Sequence, residues 1–440
     1  MALFNRGESC MQTPSKPPLV VHGADGVSRS HARAKTMSVE PQAVHLLVAL
    51  AAEMKAGRGD DDAADAIRER MDSVLRRLPS DQQALLAELS EDLYLLEGKR
   101  QVPPLEADKP KDTLRDLAAS FSTGDARETL RLLRRVPDDD ENWPADKLAY
   151  GFGRLWERLH VYEAAAAFYD FAHERNPKSS YGVMSLDALA QAGLAEEALN
   201  RIKAIEDSPE APATLVLKAA ATLFQLSPHV SAADPNETYR RIICLVKRPA
   251  DVSDVLSTVV ASAQVAAGFS HEHLGDRDEA LQAFTAAVRV KAFDSTLIAR
   301  GFAYLDRGDG GAALGDFRAA IDLGTALPWP YLHTSHAALQ MARWEEAERL
   351  AQIGANLSPR GPLRARLLEF VAIAAANLGR ADGHVRRVFE LAMLDNPFDP
   401  TLRKNAAAYE KATTAAALQW DALNPAEARR DFEQSLVAAA

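Results

Sequence analysis

Cysteine is scarce in this 440-residue chain, which contains only Cys10 and Cys244. Two distant thiols exclude a disulfide framework and a closely spaced zinc or redox set, so a reducing, cytoplasmic setting is expected. Long apolar runs are also missing, because no stretch approaches the roughly 20 apolar residues that cross a bilayer. The short apolar run at residues 17–21 cannot form the core of a signal peptide. We therefore expect neither secretion nor membrane insertion.

An excess of basic charge is also absent, since 62 acidic residues outnumber 51 basic ones and the net charge is −11. Nucleic-acid-binding proteins need a positive surface to displace counterions from phosphates, so no nucleic-acid partner is expected. Aromatic residues make up only 7% of the chain, and the composition is rich in alanine. This composition favours packed helices over sheets and predicts an all-α protein.

Sequence signatures of metal sites and catalysis are lacking as well. His271 and His273 flank Glu272, but residues two apart on a helix point to different faces and cannot chelate one metal. His333 and His336 share a face, yet no third ligand lies near them in sequence. No phosphate loop or nucleophile elbow of known form appears. We predict no metal, no cofactor and no catalytic site.

The chain does contain a pattern that recurs every 33 to 34 residues, most clearly between residues 145 and 357. Each copy has a small residue in a first helix, an alanine early in a second helix and a large aromatic or apolar residue after it. The small residues of the first helices are Gly153, Gly268, Gly301 and Ser335. The alanines are Ala165, Ala280, Ala313 and Ala347, and the aromatic residues are Tyr169, Phe284 and Phe317. Small residues allow two helices to approach closely, and the aromatic rings fill the space between units.

This pattern resembles the tetratricopeptide repeat (TPR) family over roughly residues 112–437. The resemblance implies an all-α fold, a right-handed TPR-like α-solenoid of about nine helical hairpins. It also implies a concave face that is lined by the first helix of each hairpin and commonly holds a peptide. Stacked repeats of this kind usually serve binding, because the stack creates a long curved surface.

The predicted organisation has four parts. Residues 1–37 read as a disordered leader, and a good helix start after Met37 leaves open whether translation begins at Met1 or there. Residues 38–100 form a small helical segment or cap, with helices over 43–55, 63–78 and 81–97. Residues 101–111 form a proline-containing linker, and residues 112–437 form the solenoid. A last pair over 401–418 and 425–437 is expected to close the stack.

Helical spacing predicts which side chains point into the groove of the units between 253 and 357. They are mostly apolar, unlike the charged set of the upstream unit around Gly153. The predicted partner-binding residues are Val265, Phe269, Ile298, Phe302, Leu305, Trp329, Leu332, His336 and Leu339. Some TPR proteins grip a peptide carboxylate with Lys and Asn at such positions, and the absence of that set disfavours binding of chaperone tails.

The favoured function is a non-enzymatic, cytoplasmic scaffold that binds an apolar or amphipathic segment of a partner protein in this groove. One alternative is that the groove is filled internally, by helices from 40–99 or by first helices that touch one another. A second alternative is a regulatory protein or enzyme in which helices 38–100 act as effector and the solenoid as sensor. The identity of the partner, the biological process and the oligomeric state are not encoded in any recognisable motif.

Overall fold

The computed structural model describes residues 40–98, 120, 125–136, 143–177, 180–230, 234, 236–412, 418, 429–430, 432–434 and 436. The predicted leader 1–37, the linker 101–111 and the start of the predicted solenoid at 112 lie outside these residues. Within them, every regular element is a helix and no strand occurs. The chain divides into two compact units, Met1–Arg201 and Ile202–Ala440.

The first unit begins with three helices and continues with hairpins. Its helices are α1 (Pro41–Lys55), α2 (Asp62–Leu75), α3 (Ser80–Leu93), α4 (Ala126–Leu133), α5 (Ala145–Arg158), α6 (Tyr162–Arg175) and α7 (Tyr181–Gln191), followed by α8 (Ala195–Asp207), which crosses the division. The helix α1 packs on α2, α3 and α6, while α5 and α6 form the first regular hairpin. The predicted helices at 43–55, 63–78 and 81–97 are thus present, the last ending in a 3-10 turn at Tyr94–Glu97.

The N-terminal helices contact this first hairpin through buried and exposed polar side chains. Asp92 at the end of α3 is 1% exposed and accepts hydrogen bonds from Arg134 Nε at 2.7 Å and from Trp156 Nε1 at 3.1 Å. On the other side, the side chains of His45 and Glu163 lie 2.8 Å apart between α1 and α6. Burial raises the pKa of Asp92 to about 6, although the bonds from Arg134 and Trp156 oppose that shift. These contacts pack α1 and the end of α3 against the hairpin.

The second unit stacks hairpins one on the next. Its helices are α9 (Ala213–Gln225), α10 (Glu237–Lys247), α11 (Ser257–Leu274), α12 (Arg277–Val290), α13 (Asp294–Asp306), α14 (Gly310–Asp322), α15 (Trp329–Gln340), α16 (Trp344–Leu357), α17 (Pro362–Asn377), α18 (Asp382–Asp395) and α19 (Pro400–Ala412). From α11 onward, each helix packs on the helix before it and the helix after it along the chain. The predicted class, an all-α TPR-like stack of helical hairpins, is confirmed.

The small residues of the repeat act where helices meet. A Cβ added to Gly268 would lie 2.4 Å from Cε1 of Phe284, and one added to Gly301 would lie 2.8 Å from the same atom of Phe317. Real Cβ atoms do not approach other carbons so closely, so only glycine allows α11 and α13 to pack against their partner helices in this way. A second set of glycines, such as Gly275 at φ 88°, turns the chain between the two helices of a hairpin. The roles predicted for Gly268 and Gly301 are confirmed.

Candidate partner-binding groove

The first helices of three successive hairpins, α11, α13 and α15, carry all nine side chains that helical spacing assigns to the groove. Eight of them are buried, and only Leu305 is half-buried. Helices α11 and α13 contact each other directly, as do α15 and α17. First helices that touch leave little open concave surface, and this agrees with one of the internal-filling alternatives.

Six of the nine side chains fall into two groups of three. Leu332 and Leu339 belong to a hydrophobic core that extends into α17 and α18, and the ring of His336 lies 5.6 Å from that of Phe370 on α17. These three therefore pack between hairpins. The periodicity of α15 could not reveal this, because a groove position and a position facing the next hairpin are adjacent on one helix face.

The second group surrounds an aromatic side chain from the far end of the chain. Phe432 is fully buried, and its ring centroid lies 5.5 Å from Trp329, 5.6 Å from Phe302 and 6.2 Å from Phe269. Phe269 also packs edge to face on Phe284, 5.1 Å away, so the pocket rests on the repeat core. We call this the aromatic pocket, defined by Phe269, Phe302 and Trp329. It receives one apolar anchor.

The helical residues next to Phe432 add charged contacts to the same groove. The guanidinium group of Arg429 forms ion pairs with Glu272 at the end of α11 and with Asp306 at the end of α13. Burial raises the pKa of Glu272 to about 8, and the neighbouring Asp306 and Glu433 raise it too, while Arg429 lowers it. Two carboxylates from separate helices thus converge on a single cation. We call Glu272 and Asp306 the acidic clamp.

A third contact follows one residue after the anchor. His273 Nε2 lies 2.5 Å from Glu433 Oε1, and the His273 ring stacks on Tyr239 of α10 with centroids 4.2 Å apart. Helical spacing places residues 429, 432, 433 and 436 on one face of a helix, and Leu436 is half-buried. The described residues of 429–436 therefore lie with one face against α11, α13 and α15. We call them the C-terminal segment.

Of the pair expected at 401–418 and 425–437 to close the stack, residues 413–417, 425–428, 431, 435 and 437 lie outside the described residues, while Phe432 lies within them. The sequence pattern puts Phe432 in a capping hairpin, because an aromatic residue in repeat register is typical of a second helix. In the structure it instead contacts three first helices, of hairpins at residues 257–357. The reason is physical: the aromatic pocket and the acidic clamp match the Phe and Arg of this segment in both size and charge.

His333, one of the histidines considered as metal ligands, has a packing role. His333 is buried between the rings of Phe302 and Phe317, at 5.4 and 5.0 Å, and burial lowers its pKa to about 3. A neutral imidazole in an aromatic stack is a core group. Among the described residues, no group of three His, Cys, Asp or Glu side chains converges in metal-binding geometry.

Helical spacing predicts the aromatic pocket but neither its occupant nor the acidic clamp. Phe269, Phe302 and Trp329 follow from that spacing, and Glu272 stands at a groove position by the same rule. Arg429 and Phe432 do carry a usable signal, an amphipathic Arg-x-x-Phe-Glu pattern whose cation complements the acids of the groove. The sequence alone does not predict that the C-terminal segment contacts α11, α13 and α15, because these elements are far apart along the chain.

Comparisons with known proteins add little to this geometry. No family model and no curated protein sequence matches the chain. Among solved structures, the chain is similar to a complex of the TPR2AB domain of yeast Sti1 with pHSP90, at 11% identity, covering 67% of this chain and 98% of that one, with a TM-score of 0.20. In the part of the chain that the structure describes, no helix is long and apolar enough to span a membrane.

Proposed function

We propose that this chain is a non-enzymatic, TPR-type interaction scaffold of the cytoplasm. Its groove, formed by α11, α13 and α15, binds an apolar or amphipathic helical segment of a partner protein. The observation that carries the proposal is the aromatic pocket, which encloses a phenylalanine presented by a helical segment. Aromatic anchors in desolvated pockets dominate the energetics of protein interfaces, and helix-in-groove recognition uses them at spacings of three and four residues.

Two further features support a binding role over a catalytic one. The nine side chains assigned to the groove include no Ser, Thr, Cys or Lys, and the strongly perturbed acid beside them, Glu272, already has a cation partner in Arg429. The helices α1 to α3 are packed on the first hairpin through Asp92, which favours a structural cap over a separate effector.

The test introduces a charge at the edge of the groove. Leu305→Asp places a carboxylate at a half-buried groove position. The matched control is Leu323→Asp, because Leu323 directly follows α14 and is 57% exposed. Tagged full-length proteins are used to isolate partners from cells, with photo-crosslinking to map the segment that is bound. We expect Leu305→Asp to lose partners that Leu323→Asp keeps, and the crosslinked segment to have an apolar helical face.

Circular dichroism of both variants checks that each remains helical. If the two variants retain the same partners, or if crosslinks map to polar segments without a helical apolar face, the groove assignment is wrong. The substitutions avoid Phe302 and Leu332, because both are buried and a charge there would unfold the hairpins.

A further inference from the structure

The contacts of the C-terminal segment resemble those of a ligand more than those of a structural repeat. Its anchor Phe432 fills the aromatic pocket, its cation Arg429 meets the acidic clamp and its acid Glu433 meets His273. Three successive contacts on one helical face are the arrangement by which a helix is recognised in a groove. The segment is also joined to α19 by a stretch of chain, residues 413–428, and this makes its docking intramolecular.

The acidic clamp shows what the groove requires of any occupant. Glu272 and Asp306 come from the ends of two different helices and meet at one guanidinium group. If the groove were empty or held a purely apolar helix, Glu272 and Asp306 would lie beside a buried pocket without a cation, which is electrostatically unfavourable. An arginine placed three residues before an aromatic residue supplies that cation.

We propose that the C-terminal segment is an internal competitor that occupies the groove, and that the partner displacing it is a helix carrying Arg-x-x-aromatic followed by an acid. This proposal rests on the proposed function and specifies its partner. The unpaired indole N–H of Trp329 adds a detail: it is buried and has no acceptor among the described residues, so a partner with an acceptor beside its aromatic anchor gains a hydrogen bond that Phe432 cannot provide.

Displacement is feasible because the segment contributes few anchors. One ring and two charged side chains hold it, whereas the linkage to the chain supplies a high effective concentration. An external helix with the same face competes poorly until the internal one is weakened. Weakening Phe432 should therefore increase binding of an external copy of the segment.

The probe for the experiment is a fluorescein-labelled peptide with the sequence of residues 425–438, and its binding to the full chain is measured by anisotropy. The variant Phe432→Ala removes the internal anchor, and Phe398→Ala, at an 85% exposed phenylalanine after α18, is the matched control. We expect Phe432→Ala to bind the probe at least about tenfold more tightly than wild type and Phe398→Ala to match wild type. If Phe432→Ala loses helicity, Arg429→Glu serves as the releasing variant.

A second probe carries Arg429→Glu within the peptide and keeps its apolar face. Weak binding of this probe to Phe432→Ala, with tight binding of the first, supports the acidic clamp. Equal binding of both probes to Phe432→Ala overturns the arginine requirement but leaves the proposed function intact. Equal binding of the first probe to wild type and Phe432→Ala overturns the internal competitor. If neither probe binds any variant, the groove does not recognise helices and the proposed function fails too.

Light scattering on wild type tests whether the C-terminal segment in the groove comes from the same chain or from a second copy. A monomer across the measured concentrations supports an internal occupant. A dimer that dissociates on Phe432→Ala overturns the proposal, because the segment would then bind a second copy of the chain.

Discussion

Gly268→Ala is the sharpest test of how the repeat builds the groove. The added Cβ would lie 2.4, 2.6 and 2.7 Å from three atoms of the Phe284 ring. Ordinary carbon contacts are about 3.5 to 4 Å, so the ring would have to move by about 1 Å or more. Three atoms of one ring are involved, so rotation of the ring cannot relieve the clash. Phe284 is fully buried and packs on Phe269 of the aromatic pocket, which leaves it no space to move into.

The expected cost follows from two opposing effects. Overpacking a buried site costs about 3 kcal/mol at the upper end of its range, while replacing glycine by alanine within a helix stabilises by about 1 kcal/mol. The net loss is about 2 kcal/mol. Gly315→Ala, in the middle of α14, is the matched control because a Cβ added there would have no heavy atom of a neighbouring element within 4 Å. It should gain up to about 1 kcal/mol.

Urea unfolding followed by circular dichroism at 222 nm compares the two variants with wild type. With a slope of about 2 to 3 kcal/mol per molar urea, Gly268→Ala should lower the midpoint by roughly 1 M, and Gly315→Ala should leave it unchanged or raise it. If Gly268→Ala raises the midpoint as Gly315→Ala does, the close approach of α11 and α12 is not what the repeat glycine provides.

Two further predictions concern buried charge. Asp92→Ala should lower the free energy of unfolding by about 3 kcal/mol, because Arg134 and the Trp156 indole lose a buried acceptor; an unchanged melting temperature would contradict this. Burial raises the pKa of Glu272 from 4.5 to about 8, so its contribution to stability falls as pH rises through that interval. Arg429→Met should therefore cost less at pH 6, where mainly the ion pair with Asp306 is lost, than at pH 9, where the ionised Glu272 also loses its cation. Urea midpoints that show a larger loss at pH 6 than at pH 9 would refute the pairing.

The helices could be predicted from the sequence because their signals are local. The helices expected at 43–55 and 63–78 are observed at Pro41–Lys55 and Asp62–Leu75. Helical periodicity, turn glycines and prolines all act within a few residues, so each boundary is set by neighbouring positions along the chain. The same holds for the close-approach glycines, whose spacing of 33 to 34 residues identifies the hairpin.

The candidate site could be predicted only in part. Periodicity predicts Phe269, Phe302 and Trp329 on the groove side of their helices, and the structure gathers these three around Phe432. Leu332 and Leu339, predicted for the same groove, belong to a core that extends into α17 and α18. The spacing of apolar residues on one helix predicts which face of the helix is buried. It does not predict whether a neighbouring hairpin, another segment of the chain or a partner protein covers that face.

The sequence by itself determined the helices, the repeat and the apolar face of α11, α13 and α15, because these depend on interactions between residues close together in the chain. Only the tertiary structure decided what covers that face. Arg429 and Asp306 are 123 residues apart, and His273 and Glu433 are 160 apart. No periodic pattern links positions at such distances, so the match between the acidic clamp and its arginine becomes visible only when the chain is folded.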